Sequence, residues 1–236
     1  MKAIIHKEIR SYFHNILLYM IGTGLTLYSG IRFSGILFSV EISSIQSIFA
    51  EVAFTLLLFI PLLTMDSFAA EKYNGTDRLL FSSAISMYNV VCAKYVAAFL
   101  TFAVFSGVTL LLPMGMLLLS GIYWTEALLL YGGVLLLGSA VCAFGIWISS
   151  MSSHGFRALL VTVTGLFAWW MLDALLPYMG NIWIRELISF ISLFSRFEAF
   201  QKGLLSYSAV LYLVSATILF QLLAMQVLRI WRQRRA

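Results

Sequence analysis

Charged residues are scarce in this sequence, because only 11% of its 236 residues are Asp, Glu, Lys or Arg. The hydrophobic share is 61%, and the mean hydropathy is +0.96. Soluble domains carry about a quarter of their residues as charged side chains, which keeps their surface in contact with water. The composition therefore excludes a soluble enzyme or binding domain and predicts an integral membrane protein.

Cysteine and proline are also rare, with two and three copies. Cys92 and Cys142 form neither a disulfide framework nor a metal-ligand pattern, so we expect both to be small packing residues. Long runs of Leu, Ile, Val and Phe take the place of the short alternating segments that β-barrel strands show. The expected fold class is therefore all-α, with helices that span the membrane.

Catalytic signatures are missing as well. The sequence has no His-Glu-x-x-His motif, no Gly-x-Ser-x-Gly motif and no Gly-x4-Gly-Lys-Ser/Thr phosphate loop. We expect the three histidines, His6, His14 and His154, to be surface or interfacial residues. The chain is thus predicted to be no enzyme and to hold no cofactor or metal, so any ATP hydrolysis would belong to a partner.

Six segments are long and apolar enough to cross a bilayer, since a spanning helix needs roughly 20 apolar residues. They lie at about 15–36, 48–67, 92–119, 125–149, 157–176 and 205–229. The hydrophobic stretch that follows Arg10 is too long for the apolar region of a signal peptide and has no small-x-small cleavage site, so we expect the first span to stay in the mature protein. Residues 1–236 then form a single transmembrane domain with no sizeable domain outside the membrane.

Two features inside the spans predict local geometry. Pro61 and Pro113 each remove a backbone hydrogen bond, so we expect kinks in the second and third spans. Small residues between Gly138 and Gly145 give the fourth span a surface that a neighbouring helix can approach closely.

The basic residues collect on one side of this six-span topology. Eleven of the 15 lie on the side of both termini: Lys2, Lys7, Arg10, Lys72, Arg78, Lys94, Arg157, Arg229, Arg232, Arg234 and Arg235. The other four are Arg32, Arg185, Arg196 and Lys202. Cytoplasmic loops carry the excess of Lys and Arg, so we expect both termini in the cytoplasm.

The first dozen residues show a helical period. Apolar side chains recur at Met1, Ile5, Ile9, Tyr12 and Phe13, whereas His6, Lys7 and Arg10 fall on the opposite side. This pattern predicts an amphipathic helix that lies in the headgroup layer. The alternative is a basic flank of the first span with no helix of its own.

Two connections are more than short loops. The cytoplasmic segment 66–94 is patterned as short helices, with Gly75 as a helix stop and Thr76 and Ser86 as N-caps. The outer segment 177–203 mixes aromatic with charged residues. It is too charged to cross the bilayer, so we expect amphipathic helices that dip into the outer leaflet or cap the bundle.

The first of these connections carries a family resemblance. The run Leu62-Leu63-Thr64-Met65-Asp66-Ser67-Phe68-Ala69-Ala70-Glu71-Lys72-Tyr73-Asn74-Gly75-Thr76 resembles the sequence after the second span in permease subunits of type 2 (ABC-2 type) ABC exporters. The run Phe197-Glu198-Ala199-Phe200-Gln201-Lys202-Gly203 is similar to the family's segment before the last span. With six spans, the resemblance to the small single-domain permeases covers nearly the whole chain. Two positions depart from the family pattern, Arg78 where Glu is common and Ala84 where Pro is common.

The resemblance implies a function and a set of partners. Segment 66–94 would hold a coupling helix that inserts into a separate ATP-binding cassette ATPase, which binds the ATP and Mg. The implied coupling residues are Glu71, Gly75, Thr76, Asp77 and Arg78, and the implied outer-segment residues are Phe197, Glu198, Phe200 and Gly203. The complex would contain two ATPase subunits and a permease dimer, made of two copies or of this chain and a sister permease, in a bacterial cell membrane.

Two other classes stay open. An ATP-independent secondary transporter or channel subunit needs buried charges or an inverted repeat, and we expect neither here. A membrane anchor or sensor needs a larger domain outside the membrane. Almost no charge lies at depth, so for a transporter we expect an amphipathic or lipid-like cargo such as a hydrophobic peptide.

Overall fold

The computed structural model describes residues 2–38, 45–76, 86–119, 124–175, 192–201 and 204–235. Within these ranges every regular element is an α-helix. The helices are α1 (Lys2–Phe13), α2 (Ile16–Phe38), α3 (Ile45–Leu57), α4 (Phe59–Thr64), α5 (Asp66–Tyr73), α6 (Met87–Leu119), α7 (Trp124–Met151), α8 (Gly155–Leu175), α9 (Phe194–Gln201) and α10 (Tyr207–Arg235).

Six of these regions are long and apolar enough to cross a membrane, which confirms the predicted multi-pass membrane protein. They are Ile16–Gly35, Glu51–Tyr73, Met87–Leu110, Leu128–Met151, Gly155–Leu175 and Tyr207–Gln233. The second span ends at Tyr73, past its expected end at residue 67. The third span begins at Met87, before its expected start at residue 92. Both ends of the predicted cytoplasmic segment 66–94 therefore belong to helices of the bundle.

The second span is built from three consecutive helices, α3, α4 and α5. Pro61 has no N–H to donate to the carbonyl of Leu57. The first break in the helix lies at Leu58, directly after Leu57. A second break falls at Met65, whose N–H still reaches the Pro61 carbonyl at 2.9 Å. The expected irregularity at Pro61 is thus present, whereas α6 runs through Pro113 without a break in its bounds.

Helix α7 is the centre of the bundle, with 72% of its span window buried. Its most extensive contact is with α10, and it also contacts α4, α5, α6, α8 and α9. A side chain at Gly138 would collide with Phe102, and one at Gly145 would collide with Thr64. The small residues of the fourth span therefore let α6 and α4 approach closely, as predicted.

Helices α2, α8 and α10 form the periphery. Only 22%, 17% and 33% of their span windows are buried. Their outward side chains are large and apolar, for example Leu27, Phe167 and Leu211. Apolar outward faces of this kind suit contact with lipid chains.

Helix α1 packs along α6 at the end of the bundle where both termini lie. Its residues Ile5, Glu8 and Ile9 are partly buried, whereas Lys7 and Arg10 are exposed. Helix α1 therefore turns its apolar residues toward the bundle and its basic residues outward.

Candidate functional site

Helix α5 forms the start of segment 66–94, the segment that the resemblance singles out. It ends at Tyr73, and Gly75 follows with φ = 70°, a left-handed conformation that glycine adopts at low cost. The N–H of Asn74 donates to the Ala70 carbonyl at 2.9 Å, and the N–H of Gly75 donates to the Lys72 carbonyl at 3.3 Å. Gly75 is therefore the helix stop that the sequence predicts.

The two expected cap residues behave differently. The Ser86 hydroxyl accepts the N–H of Asn89 at 3.3 Å at the start of α6, so Ser86 is an N-cap as predicted. The Thr76 hydroxyl instead donates back to the Glu71 carbonyl at 3.3 Å. Thr76 thus satisfies a carbonyl at the end of α5, and Tyr73, Asn74, Gly75 and Thr76 are all exposed.

A buried ammonium group lies beside this helix. Lys94 Nζ donates to Glu8 Oε1 at 3.0 Å, to Glu71 Oε1 at 2.9 Å and to the Ser67 carbonyl at 2.6 Å. It also lies 5.0 Å from the centre of the Phe68 ring. An ammonium has three N–H donors, so these three acceptors satisfy it completely. We call Lys94, Glu8 and Glu71 the Lys94 cluster; it joins α1, α5 and α6.

A second contact reinforces the junction between α1 and α5. The Tyr12 hydroxyl and the Ser67 hydroxyl are 3.1 Å apart. Burial raises the pKa of the Tyr12 phenol, because the charged phenolate would lose its hydration. Tyr12 therefore stays protonated and is able to keep this hydrogen bond.

The opposite side of α5 is fixed to α7 and α10. The Ser149 hydroxyl donates to the Met65 carbonyl at 2.9 Å and accepts the N–H groups of Phe68 and Ala69 at 3.1 and 3.3 Å. It thereby satisfies two of the orphan N–H groups at the start of α5 from another helix. Lys72 donates to the Ser150 carbonyl, and its ammonium lies 4.2 Å from the Trp231 ring centre.

The implied coupling residues are only partly brought together. Glu71 is directed at Lys94 inside the fold, so its carboxylate does not lie on the exposed tip where we expected a docking charge. Gly75 and Thr76 form that tip. Asp77 and Arg78 lie outside the described residues.

Part of the outer segment 177–203 is described, as α9. Phe197 and Phe200 are buried against α7, where a side chain at Gly133 would lie 2.7 Å from Phe200 Cβ and 3.1 Å from Phe197 Cε2. Helix α9 therefore packs on the bundle through its aromatic face. Glu198 belongs to α9, but its side chain lies outside the described part of the chain, as does Gly203.

Sequence reasoning missed the two residues that hold α5 in place. The charge pattern groups Lys94 with the basic residues of the cytoplasmic side, yet it is 1% exposed. The signal was available, because Lys94 interrupts an apolar run between Val90 and Phe99. Ser149 gave no comparable signal, since a serine near a span end is ordinary.

No family model matches this chain, and no curated protein matches it. Across the described ranges, no three His, Cys, Asp or Glu side chains are grouped so that they could hold a metal ion. The function must therefore be inferred from the junction of α1, α5, α6, α7 and α10.

Proposed function

We propose that this chain is the membrane-spanning permease subunit of an ATP-driven ABC exporter. In this proposal two permease chains form the translocation pathway, and two separate ATP-binding cassette subunits bind and hydrolyse ATP. Both termini and the tip of α5 face the cytoplasm, and α1 lies in the headgroup layer. The membrane is the bacterial cell membrane.

One observation carries this proposal, namely the bracing of α5. A helix that transmits force from a partner needs an exposed tip and firm attachments to the spans that move. Helix α5 has an exposed tip at Gly75 and Thr76. Behind the tip it is tied to α6 by Lys94 and to α7 by Ser149. A push on the tip would therefore reach several spans through buried polar contacts and not through side-chain packing alone.

The charge distribution supports the orientation. Lys2, Lys7 and Arg10 on α1 and Arg229 and Arg232 on α10 are exposed at the same end of the bundle. Basic residues that flank spans favour the cytoplasmic side and attract anionic lipid headgroups.

The proposal is tested by purifying the tagged chain from its native membranes and measuring ATP hydrolysis in the complex. The variant Asp77→Lys/Arg78→Glu reverses both charges next to the α5 tip. We expect it to lose the copurifying P-loop ATPase and the ATP hydrolysis. The control is Arg229→Glu, which changes an exposed charge at the same end but outside segment 66–94. An unchanged complex and unchanged ATP hydrolysis in the double variant would contradict the proposal.

The Lys94 cluster favours a second candidate, an ATP-independent transporter or channel subunit. Ionisable groups inside a membrane bundle often mark ion or proton pathways. The cluster lies about 10 Å into α6, because Lys94 is seven residues beyond Met87 at 1.5 Å per residue. Transport by the reconstituted chain alone, driven by a proton or sodium gradient and without any ATPase, would establish this candidate instead.

A further inference from the structure

A cavity of about 340 Å³ lies between α1, the start of α2, the region of α4 and α5, and α6. Its volume falls within the range of small-molecule sites, which begins near 300 Å³. One wall is polar and the other is apolar. The polar wall is formed by Lys7, Glu8, Asp66, Glu71 and Lys94, and the apolar wall by Leu17, Leu18, Ile21, Phe59, Leu62 and Leu63.

The two walls lie at different depths in the bundle. Leu17, Leu18 and Ile21 belong to the first two turns of the first span. Leu62 and Phe59 lie about one and two helical turns before Asp66, toward the interior of the second span. Leu62 and Phe59 thus lie deeper along the second span than Asp66 does, which is the order of acyl chain and headgroup in a phospholipid.

The charge of the polar wall favours a cationic group. Three carboxylates face two ammonium groups, and the Lys94 ammonium has all three donors occupied by Glu8, Glu71 and Ser67. Among the described residues, no hydrogen bond or ion pair engages the Asp66 carboxylate, which lies against Gly155 at the start of α8. The Asp66 side chain is exposed at the start of α5, so a ligand ammonium in the cavity could pair with its carboxylate without displacing a protein partner.

Lys7 supplies the complementary charge. It is exposed and lines the cavity on the α1 side. A phosphate next to Lys7 and an ammonium next to Asp66 would together match the headgroup of a zwitterionic phospholipid.

We propose that this cavity binds one phospholipid whose headgroup carries an amine, with the ammonium on Asp66, the phosphate on Lys7 and an acyl chain along Leu17 and Leu62. Leu17 is 42% exposed, so the cavity is open on the side of α2 from which a lipid chain would enter. The site is built from residues of α1, α2, α4, α5 and α6 of a single chain, so lipid binding there requires no ATPase partner.

The test is native mass spectrometry of the purified full chain titrated with phosphatidylethanolamine or with phosphatidylglycerol, which lacks the amine. We expect one tightly held phosphatidylethanolamine per chain and about tenfold weaker retention of phosphatidylglycerol. Asp66→Asn should lower phosphatidylethanolamine retention about tenfold, because it removes the charge at nearly constant volume. Leu17→Trp should lower the retention of both lipids by filling the apolar end.

The matched control for Leu17→Trp is Leu27→Trp, a more exposed position of the same helix that does not line the cavity. It should retain phosphatidylethanolamine like the unmodified chain. Equal retention of the two lipids, a preference for phosphatidylglycerol, or Asp66→Asn and Leu17→Trp chains that bind like the unmodified chain would each overturn the proposal. Competition by free phosphoethanolamine as strong as by the lipid would also overturn it, because the acyl chain would then contribute nothing.

Discussion

The two ends of the bundle each contain a charged contact, and the two contacts differ in their surroundings. At the end of the termini, Lys94, Glu8 and Glu71 have side chains that are 2%, 13% and 18% exposed. At the other end, the Arg32–Glu51 pair joins α2 to α3 with side chains that are 43% and 42% exposed. Arg32 lies 16 residues beyond Ile16, so about 24 Å of helix separates the two ends.

The difference shows which of the two charged contacts contributes to the stability of the fold. The Arg32–Glu51 pair and the Tyr28 hydroxyl, which donates to Glu51 Oε1 at 2.5 Å, remain open to surrounding solvent or headgroups. Charges in such surroundings lose little free energy when a partner is removed. The Lys94 cluster has exchanged its hydration for protein contacts, so loss of one member leaves the others buried without compensation.

The largest expected effect comes from Lys94→Met, which leaves two partly buried carboxylates next to each other. We expect a loss of about 3–5 kcal/mol in the free energy of unfolding. Thermal unfolding of the purified protein in detergent, followed by tryptophan fluorescence, measures it. Adding Glu8→Gln and Glu71→Gln to Lys94→Met should recover part of the loss, since the carboxylate charges are then gone. A single variant as stable as the unmodified chain would show that the Lys94 cluster does not hold the bundle.

Close helix packing should stabilise both ends of the bundle to a similar degree, unlike the charged contacts. Thr64 packs closely against Gly145 toward one end of α7, and Phe200 packs closely against Gly133 toward the other. Gly145→Ala and Gly133→Ala should each cost about 1–3 kcal/mol, because the added methyl group forces backbone or side-chain shifts. Gly132→Ala is the control, since no atom lies within 4 Å of its added methyl group. If all three variants unfold at the same temperature, the close approaches at α7 are not what holds these helices together.

A smaller loss is expected from Ser149→Ala, which removes three hydrogen bonds at the junction of α4 and α5. We expect about 1–2 kcal/mol, the range for a lost N-cap or a buried hydrogen bond. Ser152→Ala is the matched control, because among the described residues the Ser152 hydroxyl bonds back to α7 itself, to the Ile148 carbonyl at 3.1 Å. Equal unfolding temperatures for the two variants would argue against bracing of α5 by Ser149.

The smallest effect is expected at the other end. Arg32→Gln should shift the unfolding temperature by no more than the scatter between repeat measurements, because solvent or headgroups replace the lost partner of Glu51. Added salt should change the unmodified chain equally little. A shift as large as that of Lys94→Met would remove the contrast between the two ends.

The sequence predicts the elements of this fold better than their contacts. Hydropathy locates six spans because the composition of each segment alone decides whether it enters a bilayer. Gly75 and Ser86 are also predictable, since a helix stop and an N-cap depend on neighbouring residues. These features require no knowledge of any other part of the chain.

The Lys94 cluster could not be predicted in the same way. Lys94 meets Glu71 from 23 residues away and Glu8 from 86 residues away, and only the packing of α1 and α5 against α6 brings them together. Ser149 likewise reaches the N–H of Phe68 across 81 residues. A single sequence places such residues on helices but does not reveal which helices meet.

The order of the Lys94 cluster along the chain has a consequence for how the protein is made. Both acidic partners, Glu8 and Glu71, precede Lys94 in the sequence. Synthesis proceeds from the N-terminus, so both carboxylates exist before α6 leaves the ribosome. A lysine inside a membrane span is costly unless it pairs with a group of opposite charge. Both acidic partners of Lys94 are therefore already synthesised when α6 inserts into the membrane.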